Sequence, residues 1–224
     1  MQVFIVGTGK LATELLQALG ADPATKALPW ASRGGSLRQA IVVHAGSGRE
    51  LGEVVAYCQA THSTLVELAT GSAAETATQG FPVVLCPNTN ILMLKFMHML
   101  AQSGHLFNGY PITLTESHQQ PKTSVPGTAV GMAQSLGLPS GAVRSVRDPR
   151  EQADVLKIPP EHLARHAYHQ IVIEDPVCSI TLETRVYGAS PYADGVARTI
   201  AAIRAHALED RVYPIGEFVE RQWV

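Results

Sequence analysis

The sequence predicts an α/β protein: a doubly wound parallel sheet, followed in the second half by an open sheet with antiparallel strands. Three observations carry this. Short apolar runs alternate with helical periodicity over residues 1–90, and each run ends in small or polar residues. A glycine turn, Gly7-Thr8-Gly9, follows the first run at once. Residues 179–187 alternate as an antiparallel strand with one covered face does.

The elements follow in order. Residues 2–6, Gln-Val-Phe-Ile-Val, form the first strand, and Leu11, Leu15, Leu16 and Leu19 recur at helical spacing, with Gly20 as the expected C-cap. Trp30 to Arg33, bracketed by Pro29, Gly34 and Gly35, reads as an abbreviated second strand. Ile41 to His44 is the next strand. A helix over 49–60 places Leu51, Val54, Val55 and Cys58 on one face. Strands over 64–68 and 81–86 end in Ala-Thr-Gly and Pro-Asn-Thr-Asn. A Leu- and Met-rich helix runs over 91–101, strands over 110–116 and 171–173, and a last amphipathic helix over 193–206. Residues 147–166 are charged and contain proline, and are expected to be a surface loop or excursion.

Composition bounds the function. Of 224 residues, 46% are apolar and 16% charged, which supports a core and excludes bulk disorder. The net charge of -2 gives no basic field for a phosphate backbone, so no nucleic-acid partner is expected. No apolar run reaches the ~18–20 residues of a membrane span, and the start lacks the pattern of a secretory leader. Three widely spaced cysteines, Cys58, Cys86 and Cys178, suit a reducing, cytoplasmic setting. No zinc motif is present, and no metal is expected.

Gly7-Thr8-Gly9-Lys10-Leu11-Ala12 fits G-x-G-x-x-A. The first glycine permits a tight turn, the second lets the backbone approach a pyrophosphate, and the small third residue lets helix and strand pack closely. The N–H groups opening the helix receive the phosphate charge. A purely structural turn is the alternative. Where an acidic residue would read a free ribose 2′-hydroxyl, Ser32-Arg33 stands instead. That pair favours a 2′-phosphate, hence NADPH over NADH, unless Arg33 is only a solvent-exposed loop residue.

The polar stretch Thr115 to Ala129 lies between a strand and a helix expected over 128–137. His118 can exchange protons near neutral pH. Lys122 offers a mobile ammonium donor. Pro126-Gly127-Thr128 opens a helix, so its N–H groups and the Thr128 hydroxyl can hold a carboxylate. A cation, a proton donor and an anion cradle suit reduction of a polar acid. The competing reading is a solvated surface loop.

This stretch, Glu-Ser-His-Gln-Gln-Pro-Lys-Thr-Ser-Val-Pro-Gly-Thr-Ala, resembles the E-x-H-H-x-x-K-x-D-A-P-S-G-T-A signature of the 4-hydroxy-tetrahydrodipicolinate reductases (dihydrodipicolinate reductases). The likeness continues in order: Ala69-Thr70-Gly71 for a T-T-G turn, Cys86-Pro87-Asn88-Thr89-Asn90 for A-x-N-x-S, and Tyr192-Ala193-Asp194-Gly195-Val196 for F-A-x-G-A. It implies a Rossmann-type dinucleotide-binding domain over 1–90 and 191–224, with an inserted α+β substrate-binding and oligomerisation domain over 91–190. It also implies hydride transfer from NADPH or NADH to a cyclic unsaturated imino diacid, in a homo-oligomer (tetramer or dimer). By position, His118 and Lys122 take the acid/base and proton-donor roles. Gly127 and Thr128 match the carboxylate-binding pair, and Gln119 and His169 are further substrate-binding candidates. Gly7, Thr8, Gly9, Lys10 and Leu11 match the pyrophosphate loop. Ala69, Thr70, Gly71, Pro87, Asn88 and Thr89 match turns lining the nicotinamide.

The departures are specific. Gln119 replaces the second histidine, and Ser124-Val125-Pro126-Gly127-Thr128 loses the aspartate and one loop residue. The connection between the first helix and His44 is shorter than in most members. These changes leave open another imino or keto acid as substrate, or a non-catalytic NADP(H)-binding regulatory protein. His44 ends a strand at the expected cofactor edge, either touching the nicotinamide ribose or satisfied within the strand end. His162, His166 and His169 have helix-like spacing but no completing ligand nearby. Met93, Met97 and Met99 read as core or subunit contact.

Overall fold

The computed structural model describes every residue except 36, 76–79, 123–125 and 189–191. The Ser124-Val125 departure therefore lies outside the described residues. In chain order the elements are β1 (Gln2–Val6), α1 (Lys10–Ala21), β2 (Leu28–Pro29), β3 (Ala40–His44), α2 (Leu51–Thr61), β4 (Thr64–Glu67), β5 (Val83–Leu85) and α3 (Ile91–Ser103). Then follow β6 (Ile112–His118), α4 (Gly127–Ser135), β7 (Val143–Val146), α5 (Pro149–Asp154), β8 (Ala167–Glu174) and β9 (Ser179–Val186). The chain closes with α6 (Ala193–Ala205), β10 (Val212–Pro214) and α7 (Ile215–Glu220). It divides into two units, Met1–Leu94 with Tyr192–Val224, and Lys95–Pro191, the boundary falling within α3.

The first unit is a six-stranded sheet in the order β10-β5-β4-β3-β1-β2, every pair parallel. β3 and β4 are buried along their whole length, as strands covered on both faces of a parallel sheet are, including His44 and Glu67 at their carboxyl ends. Side chains of successive residues leave opposite faces. Val3, Ile5, Ile41 and Val43 join one cluster with Leu15, Ile200 and Phe218; Phe4, Val6, Ala40 and Val42 join another with Trp30, Val54 and Phe81. Two apolar layers on one sheet are the doubly wound arrangement that the alternation predicts. β1 has β2 on one side and β3 on the other, so strand order reverses there. Such a reversal opens a crevice beyond the carboxyl ends of the strands, where open α/β sheets take their ligands.

Close packing of α6 on the turn before α3 closes this unit. A Cβ on Gly195 would overlap the Thr89 backbone carbonyl. Gly195→Ala is therefore expected to lower stability by about 1–3 kcal/mol or more, the range for overpacking. At Gly216, on α7, an added Cβ meets nothing within 4 Å. Thermal denaturation should show a clear fall in Tm for the first substitution and an unchanged or raised Tm for Gly216→Ala. Equal behaviour of the two would refute the close approach.

The second unit holds a four-stranded sheet, β7-β6-β8-β9. β6 pairs parallel with β7 and antiparallel with β8, and β8 antiparallel with β9. Leu114, Met132, Leu136 and Ile171 are buried within it.

Several local expectations need correction. Trp30–Arg33 is a 3-10 turn rather than a strand, and the second strand is only Leu28–Pro29. Trp30 turns inward to pack edge-on against Phe4 and Tyr57, and that packing outweighs its strand propensity. Gly20 lies inside α1, whose C-cap is Asp22. Residues 147–166 are not a simple surface loop. Asp148 caps α5, accepting from the Arg150 N–H at 2.7 Å, and Gln152, Leu156 and Ile158 are buried. Met93 is buried and Met99 is 46% exposed, which leaves the reading of these methionines as core or subunit contact standing.

Candidate functional site

Gly7 sits at φ +122°, a conformation open to glycine, and a Cβ there would lie 2.7 Å from the Ala45 carbonyl oxygen. Gly9 is the N-cap of α1, and no side chain caps that helix. The first helical backbone bond is Thr13 N–H to Gly9 O at 3.0 Å, so the N–H groups of Lys10, Leu11 and Ala12 precede the ladder. A Cβ on Gly9 would meet nothing within 4 Å. An uncapped helix start beside open space carries partial positive charge and fits a pyrophosphate. Thr8 and Lys10 are exposed, while Leu11 packs on the core.

Ser32 is exposed and Arg33 is engaged. The Arg33 guanidinium lies 3.9 Å from the Trp30 ring centroid, donates to the Trp30 carbonyl at 3.3 Å, and pairs with Glu53. A cavity of about 310 Å³ adjoins it, lined by Gly34, Leu37, Glu53 and Tyr57 among others. A 2′-phosphate reaching Arg33 has to share or displace the Glu53 carboxylate, a residue that sequence reading did not pick out.

Two further turns follow β4 and β5. Glu67, at the end of β4, accepts from the Ala69 N–H at 2.9 Å, and Gly71 N–H donates to Glu75 at 2.6 Å. Thr70 is exposed. Asn88 Oδ1 accepts from the Asn90 N–H at 2.9 Å, and Asn90 Oδ1 from the Met93 N–H at 3.1 Å. Asn90 thus caps α3, and Thr89 is buried beneath α6 while Pro87 is exposed.

In the second unit the register sets a polar rank. Ser145, Glu116, His169 and Thr184 stand opposite one another across β7, β6, β8 and β9. His118, two residues beyond Glu116 on β6, shares that face. The Glu116 carboxylate is buried and accepts from His118 Nδ1 at 2.8 Å and from Arg147 at 2.6 and 3.2 Å. Burial pushes its carboxyl up. Hydrogen bonds from His118, Arg147 and Ser145, with the Arg147 charge, outweigh that and hold it at about 2. Glu116 is therefore an anion, and a carboxylate on Nδ1 leaves Nε2 of His118 for a ligand.

Arg147 also holds the polar turn, donating through Nε to the Lys122 carbonyl at 2.8 Å. Lys122 N–H donates to the Gln119 carbonyl at 3.0 Å, which closes that turn, and both side chains are half-buried. The Lys122 ammonium makes no ion pair among the described residues. Gly127 opens α4 after Pro126, with no side-chain cap, and Thr128 is half-buried in its first turn. His169 lies 5.9 Å from His118, ring centroid to ring centroid. Its Nδ1 meets the Thr184 hydroxyl at 3.1 Å and its Nε2 is buried without a partner. Burial first, then the His118 charge, press its imidazole down to about 4. The other two histidines of the trio go elsewhere. His166 meets Ser117 at 3.0 Å and His162 stacks on Tyr187. No group of three His, Cys, Asp or Glu among the described residues can hold a metal ion.

Comparison with known proteins bears on this arrangement. No family profile matches the chain. A rice protein, probable 4-hydroxy-tetrahydrodipicolinate reductase 1, chloroplastic, is 35% identical over 113 residues, 47% of this chain and 33% of its own length. An Arabidopsis thaliana protein, 4-hydroxy-tetrahydrodipicolinate reductase 2, chloroplastic, is 33% identical over 126 residues, 51% of this chain and 36% of its own length. The relatives are 4-hydroxy-tetrahydrodipicolinate reductases. The matches span about a third of the length of these curated reductases. A solved structure, a dipicolinate-bound dihydrodipicolinate reductase from Paenisporosarcina sp. TG-14, superposes with a TM-score of 0.67 at 15% identity. That superposition covers 97% of this chain and 99% of the reductase chain, so the two share a fold.

Gly7, Thr8, Gly9, Lys10 and Leu11 form one turn and helix start on the first unit, His118 and His169 lie ring to ring on the second, and the Gln119–Lys122 turn is tied to Glu116 through Arg147. Glu116 and Arg147 were not singled out in the sequence. Glu116 ends the predicted strand two residues before His118, and that spacing was a signal for the first. Arg147 had none, being distant in sequence and brought in by β7.

Proposed function

We propose that the protein is an NAD(P)H-dependent reductase of a cyclic imino diacid, converting 4-hydroxy-tetrahydrodipicolinate to tetrahydrodipicolinate in lysine and diaminopimelate biosynthesis. The observation that carries this is the ordered match of His118, Lys122, Gly127 and Thr128 to the reductase signature, with His118 held beside a polar rank by a buried carboxylate. The similarity to curated reductases and the shared fold support it. In this reading residues 1–90 and 191–224 bind the dinucleotide, and residues 91–190 bind substrate and build a homo-oligomer.

When bound, the reduced nicotinamide supplies the hydride. The N–H groups at the Gly7-Gly9 turn hold the pyrophosphate, and Ala69 to Gly71 with Pro87 to Thr89 line the far end. NADPH is preferred where Arg33 leaves Glu53 for the 2′-phosphate, and NADH where it does not. Gly127, Thr128 and the start of α4 hold one substrate carboxylate, and His169 and Gln119 supply further hydrogen bonds. Fixing the ring at both ends is an orientation effect. Lys122 delivers the proton that balances the hydride, the 4-hydroxyl leaves as water, and His118, oriented by Glu116, tunes the proton transfer through Nε2.

The test follows nicotinamide absorbance with the imino diacid and with a panel of other imino and keto acids, using NADPH and NADH in turn. Turnover of the two-acid ring, inhibited competitively by pyridine-2,6-dicarboxylate, is expected. Turnover of a different acid alone would reassign the substrate, and dinucleotide binding with no turnover would make the protein regulatory.

A further inference from the structure

At the carboxyl ends of β1, β3 and β4 the register pairs Val6 with His44 and His44 with Glu67. Both His44 and Glu67 are wholly buried, a placement that destabilises unless hydrogen bonds are met. Those of Glu67 are met. Its carboxylate accepts from His44 Nδ1 at 2.8 Å, from the Ala69 N–H at 2.9 Å and from the Ser72 hydroxyl at 3.0 Å. Facing an acceptor, Nδ1 carries the ring hydrogen.

The other end of the ring is unmet. His44 Nε2 is buried without a partner, and so is Oε2 of Glu50, the residue preceding α2. Both converge on Gly46, where a Cβ would lie 2.8 Å from Nε2 and 3.1 Å from Oε2. The same short segment touches the glycine turn, since a Cβ on Gly7 would lie 2.7 Å from Ala45 O and 3.1 Å from Gly46 Cα. Two unmet acceptors thus stand beside the pyrophosphate cradle, at the strand-order reversal where open α/β sheets bind ligands.

We infer that His44 Nε2 and Glu50 Oε2 form a diol-binding niche for the ribose that follows the pyrophosphate of a dinucleotide seated on the Gly7 turn. The inference rests on the proposed dinucleotide binding. A ribose presents two neighbouring hydroxyls, each able to donate, and these answer an imidazole nitrogen and a carboxylate oxygen one apiece. Glu67 is a positioning residue. It fixes the His44 ring and, through Ala69 and Ser72, the turn after β4. Glycine at 46 leaves no side chain across the niche.

Calorimetric titration with three probes tests this. ADP carries the pyrophosphate and one ribose, ADP-ribose adds the second ribose, and NADPH adds the nicotinamide. His44→Phe should weaken NADPH and ADP-ribose about tenfold or more, the scale of a lost hydrogen bond with a buried partner, and leave ADP within about twofold. Should His44→Phe not fold, Glu50→Gln at a half-buried position serves. It should weaken ADP-ribose severalfold while leaving ADP unchanged or tighter, because a negative charge near phosphate has gone. Equal losses for ADP and ADP-ribose, or no loss in the folded variants, overturn the niche. A wild-type chain that binds ADP and ADP-ribose equally overturns it while sparing the Gly7 turn. One that binds none of the three overturns the dinucleotide reading and the niche together.

Discussion

Lys122→Ala and His118→Ala should each lower turnover of the imino diacid by roughly 10² or more, the scale of general acid catalysis. The two losses should differ in kind. In the proposed mechanism Lys122 delivers the proton, so its removal should appear chiefly in kcat. The lost step is one that only the transition state makes. His118 is tied through Nδ1 to Glu116, which leaves Nε2 for the ligand, so its removal should shift both kcat and KM. Neither side chain is part of the apolar core, and the folded state should survive both changes. Steady-state kinetics beside a circular dichroism melt separates chemistry from stability. Near-native turnover in both variants would remove these residues from the reaction.

The sequence made the first unit readable because its signals are local. Buried parallel strands are continuous apolar runs, and the glycine turn announces itself between strand and helix. The elements that escaped are short or owe their form to distant contacts. β10 and α7 are 3 and 6 residues long, too short for periodicity to register. Residues 149–154 become a helix because Asp148 caps them and Gln152 is drawn inward, where its Nε2 donates to the His118 carbonyl at 2.8 Å and to Ser117 at 3.0 Å. Nothing within that segment specifies those partners. The backbone at Trp30 follows the same rule, since packing on Phe4 and Tyr57 decides it. At the candidate site the sequence carried the proposed reactive groups by motif order. It did not carry their supports: Glu67 beneath His44 comes from a strand pairing, and Arg147 beneath Glu116 from a parallel crossover. Charged side chains of this sort look like surface residues until the fold buries them.

Glu116→Gln should cost about 3 kcal/mol of stability at neutral pH, and the cost should fade in acid. The folded carboxyl titrates at about 2 against an ordinary 4.5, because hydrogen bonds and the Arg147 charge overcome its burial. A depressed value means that the unfolded chain binds the proton more readily. The stabilisation is therefore complete above about 4.5, and is lost as pH falls through that value toward 2. Each tenfold change in proton affinity is worth about 1.4 kcal/mol, which sets the size. The amide keeps the shape and one acceptor, so packing is conserved and the charge is what changes. It also turns a donor toward either His118 or Arg147, both of which donate already, and leaves one of them unmet. Urea unfolding of the native chain and the variant, at neutral pH and again near pH 3, reads the difference directly. A gap that stays constant across that range would mean that Glu116 acts by shape alone. A gap that closes would tie the stability of the polar rank to the same carboxylate that orients His118, so that one proton taken up at Glu116 loosens the sheet and frees the imidazole together.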